Sequence, residues 1–158
     1  MINRISSDQA VEHAWKYFEL HSNQRTTLFN YFLFIMAGLG TAIGVILQAH
    51  TKFSYVGIFL SCFVTLVSYL FWKLDQRTSF LIKQSEQIFK NLERNSSVDI
   101  GIFCNEESNL DKMNLNKNWF TSVLTYGSIF RFTFLTTGLI GIFGIVFFLL
   151  RILKYVNL

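Results

Sequence analysis

The side chains in this sequence that could do chemistry are few and poorly grouped for catalysis. His13 and His21 lie on one N-terminal segment with Arg25 close by. A zinc site needs three or four ligands, and no third ligand accompanies the pair. Structural or headgroup contact is therefore expected of them, with no metal and no cofactor. Cys62 falls inside an apolar stretch, and Cys104 falls in a polar one beside Asn105, Glu106 and Glu107. Two thiols so placed read as one packed and one surface cysteine, not as a disulfide framework. No nucleophile–base motif, phosphate loop or carboxylate pair is visible, so the chain is not expected to be an enzyme. The remaining polar groups of interest flank or interrupt apolar runs. Arg25, Asp75 and Arg77 lie at the two ends of one apolar block, and Ser61, Thr65 and Ser68 share one face within it.

The elements that must carry these residues are set by apolarity. Of 158 residues, 51% are hydrophobic and only 15% charged, with 18 phenylalanines and no proline. Typical globular chains carry roughly 25% charge. The apolar excess is concentrated in three stretches without charge, at 26–49, 53–72 and 132–150. Each is about as long as a bilayer core is thick, which predicts three transmembrane helices. Residues 48–52 make a short turn, so the first two spans should form an antiparallel hairpin. Without proline, nothing in the chain forces a helix to kink. The first 25 residues are polar, so no cleavable signal peptide is expected and the first span should be retained.

Residues 1–25 read as an amphipathic interfacial helix running into the first span. Ser6 and Gln9 have capping-box spacing, and Asp8 suits the positive end of the helix dipole. Val11, Trp15, Phe18 and Phe29 keep one face apolar. Lysine and arginine set the orientation. A cytoplasmic N-terminus leaves eleven inside and three outside, as basic residues prefer. The same choice exports Arg151 and Lys154 with the tail, a local conflict with that preference. The net charge of +4 is dispersed beside spans and acids, so no nucleic-acid partner is expected.

Residues 73–117 hold most of the polar sequence. Leu74, Leu81 and Ile88 recur every seven residues with Leu92 four beyond, a coiled-coil stripe weakened by the small polar Thr78 and Ser85. This helix can continue directly from the second span, giving about 63 Å at 1.5 Å per residue. Residues 95–117, rich in Asn, Ser and acids, read as an exposed loop. Residues 118–130 are uncharged but too short to span. They read as an interfacial helix anchored by Trp119 and Tyr126, or as a re-entrant segment.

Small residues mark helix contacts. Gly40 and Gly44 in the first span, and Gly138, Gly141 and Gly144 in the third, would let backbones approach closely; glycine is also simply frequent in membrane helices. No acid, lysine, arginine or histidine lies inside a span, which argues against proton relays, coupled carriers and voltage sensors. Ser61, Thr65 and Ser68 could instead line a passive pore, or hydrogen-bond between helices. Arg25 and Asp75 could pair at the hairpin mouth, or remain solvated interfacial charges.

Two runs of residues carry a resemblance. Trp15-Lys16-Tyr17-Phe18-Glu19-Leu20-His21, Gln24-Arg25 and Leu28-Phe29-Asn30 lead into the hairpin, and Phe71-Trp72-Lys73-Leu74-Asp75-Gln76-Arg77 leave it. Residues 12–94 so resemble the SLATT group of small bacterial membrane proteins. The resemblance implies a role in anti-phage or conflict systems, through oligomers that permeabilise the inner membrane on a cytosolic signal. It marks Arg25, Asn30, Asp75 and Arg77 as hairpin-flanking residues. The third span departs from the two-span pattern.

The expectation is an all-α integral membrane protein with four parts. These are an N-terminal interfacial helix (1–25), a transmembrane hairpin (26–72), a cytosolic helix with an acidic loop (73–117), and a lead-in helix with a third span and tail (118–158). It would sit in the inner membrane with its N-terminus in the cytoplasm, embedded in lipid as a homo-oligomer. It would act as a defence effector or accessory protein that forms or gates a passive pore. The rival expectation is a non-conducting anchor that recruits a cytosolic defence protein to residues 73–117.

Overall fold

The computed structural model describes residues 7–95, 101–118 and 121–153. Ser6, of the expected capping box, and Trp119 lie outside them. Every regular element among the described residues is helical: α1 (Ser7–Gln48), a single 3-10 turn (Thr51–Phe53), α2 (Ser54–Asn95), α3 (Ile102–Asn114) and α4 (Tyr126–Ile152). Helices α1 and α2 each run 42 residues, a length permitted because no proline removes a backbone donor. Between them, His50 adopts an extended backbone, and its Nδ1 accepts from the Lys52 amide at 3.4 Å. Helices α1, α2 and α4 are each long and apolar enough to cross a membrane.

Two segments differ from the sequence expectation. The stretch read as an exposed loop contains α3, because a run of helix-tolerant residues follows Gly101, whose φ of 58° supplies the turn. Glycine adopts that left-handed backbone at no steric cost. The expected helix over 118–130 begins only at Tyr126, and residues 121–125 are not helical. Asn114 explains the difference. Its side-chain amide donates to the Val123 carbonyl at 3.0 Å and its side-chain oxygen accepts from the Val123 amide at 2.7 Å, which fastens Val123 beside the end of α3.

The chain divides into two compact units. The apolar unit comprises 26–76 and 127–158, and the polar unit comprises 1–25 and 77–126.

The apolar unit is a three-helix arrangement. Phe29 stacks on Phe130 with centroids 4.0 Å apart, and Phe32 meets Phe71 and the edge of Phe134. Phe32, Val67, Phe130 and Phe134 form the buried core at this end. At the opposite end Phe148 lies against Gly57. Contacts between α1 and α4 thus advance together along both helices, from Phe29–Phe130 to Ile46–Arg151. Helix α4 is therefore parallel to α1 and antiparallel to α2. Helix α4 finishes at the end that holds the α1–α2 turn.

The polar unit is held by aromatic rings. Phe18, Phe89 and Phe103 meet pairwise with centroids 4.9 to 6.0 Å apart, and Trp15 contacts Phe18 and Phe89. Thr78, Ile82, Ser85 and Phe89 make the buried face of α2 in this unit. The expected seam of Leu81, Ile88 and Leu92 lies to the side of that face. Ile88 and Leu92 are exposed, as is Leu74 of the apolar unit.

Candidate functional site

Helices α2 and α4 meet along a seam of hydroxyls and glycines. A Cβ added to Gly138 would sit 3.5 Å from the Ser68 Cβ, and one added to Gly144 would sit 2.6 Å from the Ser61 Oγ. At Gly141 the same atom would collide with the Thr65 hydroxyl and come within 2.9 Å of the Ser61 carbonyl. Only glycine fits there. Such close approach brings the two backbones into van der Waals contact. The Thr65 hydroxyl donates to the Ser61 carbonyl at 3.1 Å and reaches the Gly138 carbonyl at 3.5 Å.

Ser61 and Ser68 are fully covered, at 0% and 2% exposure, and Thr65 is half-buried. All three face α4, because the glycines let it lie directly over them. The glycines of the two spans also behave differently. Gly138, Gly141 and Gly144 pack within the chain, whereas nothing lies within 4 Å of a Cβ added at Gly40 or Gly44.

Each end of the seam carries an arginine of α4. At the aromatic end, Arg131 Nε lies 3.5 Å from the buried Asp75 carboxylate. At the other end, Arg151 is 3% exposed. Its Nη1 donates to the Ile46 carbonyl at 3.2 Å and its Nη2 to the Ala49 carbonyl at 2.7 Å. Those carbonyls close α1, where the last turn of a helix leaves acceptors unmatched and the dipole is negative. Arg151 therefore acts as a cap for α1.

The four hairpin-flanking residues do not form one cluster within either unit. Asn30 is exposed on α1 and Asp75 is buried, both in the apolar unit, while Arg25 and Arg77 belong to the polar unit. His13 is exposed, and His21 Nδ1 lies 3.2 Å from the Gln24 side chain. Among the described residues no group of three His, Cys, Asp or Glu could hold a metal. Both cysteines are free.

In the polar unit Glu93 does the capping that Gly101 cannot. Its carboxylate accepts from the Phe103 amide at 3.0 and 3.1 Å and from the Cys104 amide at 2.8 Å. Partial burial pushes this carboxyl up, but the amides of Phe103 and Cys104 and the Cys104 thiol outweigh it, so its pKa lies below the ordinary value. Nearby Glu86 is pushed up, first by burial and then by Glu106. A groove lined by Ile102, Glu106, Leu110, Met113, Leu124 and Tyr126 opens beside α3.

The comparisons bear on this arrangement as a whole. CD-NTase-associated protein 19 of Escherichia coli is 41% identical to this chain over 137 residues, covering 85% of this chain and 87% of the relative. The chain belongs to the CD-NTase-associated protein 19 family. No family model matches it, and the SLATT resemblance is not confirmed. No solved structure matches it either. For this CD-NTase-associated protein 19 homologue, sequence reasoning assigned no contact to Arg131, Arg151, Glu93, Gly57 or Asn114. A charge abutting a long apolar run is the available signal for the two arginines.

Proposed function

We propose that the protein is a membrane-embedded effector or accessory component of a bacterial anti-phage system that contains a CD-NTase. In this reading α1, α2 and α4 span the inner membrane with the N-terminus in the cytoplasm. Copies associate through the unpacked Gly40 and Gly44 face of α1. The assembly forms or gates a passive pore when a cytosolic defence protein engages residues 73–117. The observation that carries the reading is the α2–α4 seam. A row of hydroxyls runs through an apolar unit whose spans hold no charge, a composition suited to passive conduction and not to coupled transport. The named relative supports the defence setting.

A non-conducting anchor is the second reading. The groove beside α3, with apolar Ile102 and Met113 exposed at Glu106, favours it as a docking place for a cytosolic enzyme. Membrane potential in cells carrying the complete operon separates the two. A pore depolarises the membrane after phage infection. Protection without depolarisation establishes the anchor instead.

A further inference from the structure

Ser54, Ser61, Ser68 and Asp75 recur every seven residues along α2, and all four are buried. Seven residues make nearly two helical turns, so the four lie on one face about 10 Å apart. The hydroxyls of Ser54, Ser61 and Ser68 have no hydrogen-bond partner among the described residues. This is specific to the row. Thr41, Thr65, Thr133, Thr136 and Thr137 each return their hydroxyl to a carbonyl four residues back. A buried hydroxyl without a partner is costly, and hydration relieves that cost.

The cover over Ser61 and Ser68 is α4, through Gly144 and Gly138. The same helix carries Arg131, the cation beside Asp75. Moving α4 away would therefore uncover the hydroxyls and take Arg131 from the carboxylate at the end of the row.

We propose that this row is the permeation path of the protein and that α4 is its gate. In the closed state the three glycines seal α4 onto Ser61, Thr65 and Ser68. In the open state water and small monovalent cations follow the hydroxyls, and Asp75, relieved of Arg131, favours cations over anions at the mouth. The inference rests on the pore reading above, and its test separates the two.

The experiment uses the full chain with Cys62→Ser and Cys104→Ser, in vesicles of phosphatidylethanolamine and phosphatidylglycerol, with potassium release as the readout. Gly144→Leu wedges the seam and should raise release about tenfold or more over the parent chain. Adding Ser68→Cys and Gly138→Cys places two Cβ atoms near 3.5 Å, within reach of a disulfide. Oxidation should return release to the parent level, and reduction should restore it. Asp75→Asn in the wedged chain should abolish the preference for potassium over chloride. Unchanged release on verified oxidation would sink the gate while leaving a pore elsewhere intact. A second arm does not depend on the wedge folding. Ser61→Cys in cells carrying the operon should react with a membrane-impermeant thiol reagent after infection and not before. Depolarisation without that reaction overturns the path, whereas absence of both overturns the pore reading with it.

Discussion

The Arg151 guanidinium donates to the Ala49 carbonyl at 2.7 Å, across 102 residues of sequence. It thereby ties the end of α4 to the end of α1. Arg151→Met should remove the Arg151 donor from the Ala49 carbonyl, leave the Ile46 carbonyl with the Ala49 amide, and cost about 2 kcal/mol, typical for a hydrogen bond to a charged group. Arg151→Lys should recover only part of this, because an ammonium cannot present two parallel donors. Thermal denaturation in detergent checks the order, wild type above lysine above methionine.

Gly57 is as tightly fitted as the seam glycines. A Cβ there would lie 2.6 Å from the Phe148 ring. Gly57→Ala should destabilise by about 1–3 kcal/mol through overpacking. Phe148→Leu should relieve much of that loss in the double variant. The coupling is read from a double-mutant cycle of unfolding midpoints.

Asp75 and Arg131 form an unequal pair, the acid 3% and the base 49% exposed by side chain. Arg131→Ala leaves a buried carboxylate without this cation and should cost about 2 kcal/mol, less than a fully buried pair because solvent screens the arginine. Asp75→Asn should be milder, since it removes the charge that needs compensation. Comparison of the two midpoints tests this asymmetry.

Glu93 links stability of α3 to pH. Its carboxyl is depressed in the folded chain, so it stabilises fully above the ordinary carboxylate range. That contribution fades as pH falls through the depressed value. Amide exchange at Phe103 and Cys104, corrected for intrinsic rates, should accelerate on acidification. In Glu93→Gln it should be fast and insensitive to pH across the same window.

The two faces of α2 in the polar unit should respond oppositely to substitution. Phe89→Ala removes a ring packed on Phe18 and Phe103 and should cost about 3 kcal/mol. Ile88→Ser, one residue away and exposed, should stay within about 0.5 kcal/mol. Loss of helical signal on heating distinguishes them.

The positions of the three apolar helices were legible from the sequence alone. A charge-free run and a missing proline are properties of consecutive residues, and water or lipid responds to them wherever the chain folds. The glycines and hydroxyls that make the seam were legible as types for the same reason. Which face of each helix turns inward was not. Where the outer surface is also apolar, as at Leu74 and Ile88, alternation between inner and outer positions no longer marks the core, and the seven-residue stripe pointed to a side of α2 that stays exposed. The direction of α4, the closing of the seam over Ser61 and Ser68, and the partners of Asp75 and Arg151 were decided only in three dimensions. Each depends on groups 56 to 105 residues apart, brought together by packing that no local spacing records.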